Sequence, residues 1–241
     1  SLIAGVVVWY ILSHTITPKV PDPIVAATAS FKTMRDPWFY KSIAYSVFRV
    51  YTGFAAGVII GLPLGLMMGW NRVFRDFTFP VFELIRPMPP VSWIPLSILI
   101  FVLMELSIRY LIFLGTFFAV TLNAKLGVEQ IDQSLFRAAK CLGARPLQIF
   151  RHVVLPGALP AVFMGLAIGM NMTWITVVAA EMIAGEYGVG YMAWQSYSLI
   201  RYAEIILAMV TIGLLGYGSS AAIRLAGNKF LAWKKVYGYA R

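Results

Sequence analysis

The sequence predicts an all-α, polytopic membrane protein, and three observations carry that prediction. Hydrophobic residues make up 60% of the 241 and charged residues only 12%, against about 25% charged in an ordinary soluble domain. Mean hydropathy is +0.77. Four runs, Val50 to Trp70, Pro87 to Met104, Val153 to Ala180 and Ile205 to Ile223, contain no Asp, Glu, Lys or Arg. Each approaches or exceeds the roughly 18 apolar residues that mark a bilayer-crossing helix. Such runs are too long for a soluble core, so one membrane domain of about six spans is expected over residues 1–241.

The first candidate span, at 1–17, starts inside an apolar run. It has no basic leader and no small-residue cleavage site, so it reads as part of a span and not as a signal peptide. The second, at 44–70, carries Gly57, Gly61 and Gly65, a ladder that permits close helix approach, interrupted by Pro63. The third, at 80–104, contains Pro87, Pro89, Pro90 and Pro95, which remove backbone donors and favour kinked or extended chain. In a bilayer such backbone is tolerated where protein buries it or where it lines a cavity. Two readings stand for it: a shaped mouth of a path, or a proline-rich turn that lets the chain into the membrane.

The fourth span, at 110–126, is short. After it, at 132–143, comes a polar and basic stretch with helical spacing. Asp132 is placed to cap its first turn, and Leu135, Ala138, Ala139 and Leu142 fall on one face. Gly143 sits where a left-handed stop is expected. A short amphipathic helix is marginal alone and needs a partner over its apolar stripe. On a membrane protein it reads as a docking element.

The fifth span, at 157–182, ends in Glu181 after a long uncharged approach. An ionisable residue there is costly unless paired or wet, and is a functional candidate. Gly185, Gly188 and Gly190 follow and could bring backbone amides to its carboxylate. Glu181 is therefore either a pin for that turn or a gate. Asn171 and Thr173 either face a path or join helices. Gly165 and Gly169 make a close-packing pair, a candidate for the centre of a dimer. The sixth span is at 204–225.

Lys and Arg set the orientation. Loops 71–79 and 127–152 and the tail 224–241 carry Arg72, Arg75, Arg137, Lys140, Arg145, Arg151, Arg224, Lys229, Lys234, Lys235 and Arg241, with Lys125 at a span end. The opposite side has Lys19, Lys32, Arg35, Lys41, Arg109 and Arg201. The richer side is expected to be cytoplasmic, which puts 132–143 in the cytoplasm. The net charge of +10 is then explained by topology and anionic lipid. No continuous basic patch with stacking aromatics supports a nucleic-acid partner. Cys141 is the single cysteine, and His14 and His152 lie at opposite faces, so no metal site is expected. There is no phosphate-binding G-x-x-x-x-G-K-[ST] and no reactive cluster, so the chain is not expected to be an enzyme.

Three motifs carry a family resemblance. Ala138-Ala139, three residues, Gly143, nine residues, Val153, then Leu155-Pro156 resembles the E-A-A loop of permease subunits of ATP-binding-cassette importers. Arg137 stands where that family has Glu. Arg86, Pro87, Pro89, Pro90, Trp93, Pro95 and Leu96 match the R-P-x-P-P-x-x-W-x-P-L pattern of nitrate, sulfonate and taurine importer permeases. The Ala-Ala-Glu ending in Glu181, followed by Gly188 and Gly190, looks like the same subfamily.

The resemblance implies a type I importer permease with the fold of the methionine importer permease, in a bacterial-type inner membrane. It implies a second permease copy, two cytoplasmic ATPase subunits that bind ATP and Mg, and an external substrate-binding protein. In that reading Leu135, Arg137, Ala138, Ala139, Leu142 and Gly143 couple to the ATPase. Arg86, Pro89, Pro90, Trp93, Asn171, Thr173 and Glu181 are path or gate candidates. The implied substrate is a small anion or zwitterion, with taurine or an alkanesulfonate ahead of nitrate or bicarbonate. The alternative is an ATP-independent channel or secondary transporter, which leaves the docking helix without a purpose.

Overall fold

The computed structural model describes residue 10 and residues 21–231. Among the described residues regular structure is entirely helical. In chain order it comprises α1 (Pro23–Thr33), α2 (Pro37–Trp70), α3 (Arg72–Ile85), a 3-10 turn (Pro90–Trp93), α4 (Ile94–Ile100) and α5 (Met104–Glu129). There follow α6 (Gln133–Cys141), α7 (Pro146–Ile149), a π-helical turn (Phe150–Val154), α8 (Leu155–Ala184), α9 (Val189–Ser198) and α10 (Tyr202–Phe230). Four of these are long and apolar enough to cross a membrane: α2, α5, α8 with its preceding turns, and α10.

They contain the expected spans 44–70, 110–126, 157–182 and 204–225, and the interval 1–17 lies outside the described residues apart from Tyr10. Two boundaries differ from expectation. The interval 80–104 is not one membrane helix. The chain leaves α3 at Arg86, passes Pro87 and Pro89, makes the 3-10 turn from Pro90, and completes only α4 before Phe101. Closely spaced prolines leave no run of amide donors long enough for an unbroken helix. Conversely, the span at 110–126 starts at Met104 and runs to Glu129. Its charged flanks stay helical because they are paired: Glu105 with Arg49, and Glu129 with Lys125 at 3.0 Å and Arg75 at 3.2 Å.

The core is α5 held between α2 and α8. The α2 ladder extends further than its sequence suggested: Gly53, Gly57, Gly61, Gly65 and Gly69 all abut α5. At Gly65 an added Cβ would meet the backbone of Thr121, so the helices touch there through main chain. Thr121 donates to Gly61 O across this contact at 3.1 Å. Gly165 and Gly169 do not mark a dimer centre. They pack inside the chain, against Asn123 and Val120 of α5. Their missing side chains are used to bring α8 onto α5. α10 adds to α8 through Gly216 against the Trp174 ring, with the indole Nε1 donating to Ser219 Oγ at 3.3 Å.

Candidate functional site

At one end of the bundle α6 projects between α5 and α8. Asp132 caps it, accepting from Ser134 N at 2.8 Å, and that hydrogen bond holds the carboxyl below the usual carboxylate range. Gly143 closes the helix at φ 76°, a left-handed backbone that suits glycine. Its amide donates to Lys140 O at 2.9 Å, and Ala144 N donates to Ala139 O at 3.0 Å. Phe136 anchors the element, its ring 6.0 Å from that of Trp70 at the end of α2. Phe150 packs on the same Trp70 ring, again at 6.0 Å. One aromatic cluster thus ties α6, α2 and the π-helical turn leading into α8.

The other face of α6 is uncovered. Leu135 is 53% exposed and Leu142 87%, with Ala138, Arg137 and Cys141 also exposed and Ala139 half-buried. Leu147 in α7, 77% exposed, extends the apolar surface and was not anticipated from the sequence. The exposed leucines on this short, well-capped helix leave an apolar surface that nothing among the described residues covers.

At the opposite end Glu181 is fully buried and fully partnered. Ser46 Oγ bridges both its oxygens at 2.8 and 2.9 Å. Arg49 Nη1 donates to Oε1 at 2.9 Å, and Gly190 N to Oε2 at 2.9 Å. Ser46 Oγ in turn accepts from Val189 N at 2.9 Å. Gly188, at φ 125°, sits so close that a Cβ there would overlap the Glu181 carboxylate. The glycine-rich turn therefore delivers one amide, that of Gly190, to the Glu181 carboxylate, and a second, that of Val189, to the Ser46 hydroxyl that also holds it.

Sequence reasoning missed the cation. Arg49 spans two carboxylates, donating through Nε to Glu105 Oε2 at 3.0 Å and through Nη2 to Glu105 Oε1. It also donates to Tyr187 O at 2.5 Å. The signal was available: Arg49 and Glu105 are the charged residues immediately flanking two uncharged runs, at the same end as Glu181. A carboxylate buried in an apolar bundle requires such a partner. α2, α5, α8 and α9 are cross-linked at this one point.

The remaining candidates divide. Arg86 pairs with Glu83 at 2.5 Å on an exposed surface. Pro89 and Trp93 line a cleft of about 250 Å³ with Met88, Ser92 and Leu96. Pro90 packs towards Gly115 of α5. Thr173 is buried and hydrogen-bonds Thr116 Oγ1 at 2.6 Å, joining α8 to α5 and facing no open space. Asn171 accepts from Ser220 Oγ of α10 at 2.5 Å.

This helical bundle, with a capped helix exposing an apolar side between two membrane spans, matches one family model over residues 57–228, that of the binding-protein-dependent transport system inner membrane component. The chain belongs to this family. It is a type I ABC importer permease. It is 33% identical over 198 residues to the taurine transport system permease protein TauC of Escherichia coli, covering 82% of this chain and 72% of that one. It is 29% identical over 219 residues to the nitrate import permease protein NrtB of a Synechocystis species, covering 87% and 80%. The fold is that of a chain of the inward-facing MetNI methionine ABC transporter, with TM-score 0.62 at 18% identity over 78% of this chain and 95% of that one.

Proposed function

We propose that this permease forms the translocation path of an ATP-driven importer for a small anion or zwitterion, and that the substrate is taurine or a related alkanesulfonate, with nitrate or bicarbonate as the next class. The exposed apolar face of α6 carries the reading, because a surface of this kind serves a transporter only if another subunit covers it. Two ATPase subunits, binding ATP and Mg, would each receive one α6 from a pair of permease copies. An external binding protein would deliver the substrate in the inner membrane of a bacterial-type cell. The relatives named for taurine and nitrate support a small oxyanion.

The mechanism follows from rigid connections. Movement of an ATPase pushes α6, and the Trp70–Phe136–Phe150 cluster transmits that push to α2 and α8 together. At the far end the Glu181–Arg49–Glu105 cluster keeps α2, α5, α8 and α9 moving as one body, which alternating access by rocking requires. Glu181 is a pin in this account, since all its near partners belong to the scaffold. The test is co-purification: tagged permease should bring down a stoichiometric nucleotide-binding subunit. Purification of a functional transporter without one would reject the proposal in favour of a channel or secondary carrier.

A further inference from the structure

Helix α3 climbs along α5 with charges on one flank. At the α6 end of α5, Arg75 Nη1 pairs with Glu129 at 3.2 Å, and Lys125 Nζ lies 4.2 Å from the centre of the Phe79 ring. Further along, the Phe82 ring packs on Phe117 and Phe118, with centroids 6.1 and 5.3 Å apart. Phe117 lies about 12 Å along α5 from Lys125 and about 18 Å from Glu129. A hydrocarbon core is about 30 Å thick. Glu83, next after Phe82, and Arg86, which ends the helix, therefore sit near mid-depth.

Their surroundings at that depth follow from their exposure. The two side chains pair at 2.5 Å, yet they stay 42% and 38% exposed, so their outer side is uncovered among the described residues. Arg72 and Asp76 continue this flank towards the α6 end at helical spacing. Val73, Phe77, Val81 and Leu84 form an exposed apolar face on the other side. One helix thus offers lipid an apolar face and turns its charges away. Charges in mid-bilayer face protein or a water-filled space, not acyl chains. The backbone beyond Arg86 gives the same answer independently. Pro87 and Pro89 interrupt the helix there, and irregular backbone at membrane depth is tolerated where it is buried or lines a cavity. Met88 and Pro89 open onto the cleft of about 250 Å³.

We propose that the Glu83–Arg86 pair lines the water-filled path and selects a zwitterion over a simple anion. This rests on the importer reading and narrows its substrate to the taurine class. A bound taurine gives its sulfonate to Arg86 and its ammonium to Glu83, so one ion pair is exchanged for two. A simple anion that takes Arg86 leaves the carboxylate unpaired beside it, and like charges then meet.

The test uses the permease with its ATPase in lipid nanodiscs, open to both sides, without nucleotide or binding protein. Met88→Cys, or Leu84→Cys on the apolar face, is introduced into Cys141→Ala, and reaction with a neutral hydrophilic thiol reagent is timed. We expect Met88→Cys to react and Leu84→Cys to be shielded by lipid. Taurine should halve the Met88→Cys rate at about ten-fold lower concentration than ethanesulfonate, which lacks only the ammonium and with it about one charge-assisted hydrogen bond. Glu83→Gln should abolish that preference, and Arg86→Gln should weaken protection by both solutes. Met88→Cys as unreactive as Leu84→Cys would show the flank covered by protein, a second copy included, and overturn the proposal. So would no protection by either solute, equal protection by both, or a preference unchanged by Glu83→Gln. The two solutes are compared on the unaltered pair, so the proposal can fail even where a variant assembles poorly. Labelling can be read on the permease alone, so ATPase missing from the purified complex would remove the importer reading separately.

Discussion

Replacing Glu181 by Ala removes a buried carboxylate that satisfies three donors: Ser46 Oγ, Arg49 Nη1 and Gly190 N. Arg49 keeps Glu105 and Tyr187 O, so its charge is not wholly abandoned. Ser46 keeps its role as acceptor for Val189 N, and Gly190 N loses the carboxylate oxygen it donates to. Removing one member of a buried pair costs about 3–5 kcal/mol, and the remaining Glu105 contact places this site at the lower end. Glu181→Gln preserves the volume and one acceptor oxygen for Ser46 and Arg49. Its amide group then faces Gly190 N–H, donor against donor, at about 1–3 kcal/mol for the unmet group. Thermal unfolding of the purified permease, followed by tryptophan fluorescence in detergent, should rank wild type above Gln above Ala. Transport should fall in the same order as complex yield. An Ala variant within about 0.5 kcal/mol of wild type would show that the cluster does not hold the bundle. Normal assembly of both variants with altered substrate or pH dependence would make Glu181 a gate and refute the pin.

Other consequences are equally direct. Gly188→Ala combines a backbone at φ 125° with a Cβ overlapping the Glu181 carboxylate, so it should reproduce the Glu181→Ala loss of complex yield, whereas Gly213→Ala, where the space is open, should not. Gly65→Val drives a side chain into the main chain of Thr121, and overpacking of about 1–3 kcal/mol or more should lower permease yield in the membrane. Ala138→Asp lies on the exposed face of α6, so membrane insertion and unfolding temperature should stay at wild-type values while retention of the ATPase in pull-downs is lost. In a Cys141→Ala background, a cysteine at Ser134 should resist impermeant thiol reagents in intact cells and react in inverted vesicles; labelling in intact cells would reverse the topology.

Much of this architecture was legible because bilayer solvation leaves long uncharged runs, and caps and glycines punctuate the rest. Asp132 and Gly143 bound α6 as their chemistry implied. The prolines from Pro87 to Pro95 announced irregular backbone, yet the count of apolar residues alone drew the interval 80–104 as one span. Hydropathy does not register a missing amide hydrogen. The close-packing pair Gly165 and Gly169 told that a helix approaches, without telling which one, since the same small surface serves α5 or a second chain. Glu181 was visible as an isolated charge, whereas its partners Ser46 and Arg49 are 135 and 132 positions away, and Glu105, which shares Arg49, is 76 away; they come together only when α2, α5 and α8 align. Long-range pairing of charges is a property of the packed bundle and not of any local pattern.

The most direct test of the central claim is uptake of labelled taurine by proteoliposomes containing this permease, its ATPase and its external binding protein. Nitrate and bicarbonate serve as parallel substrates, and ATP is supplied only on the side of α6. The account predicts uptake of a small anion or zwitterion that needs all three components and stops when ATP is omitted or Ala138→Asp is introduced. Uptake of the same size by the permease alone, insensitive to ATP, would contradict it.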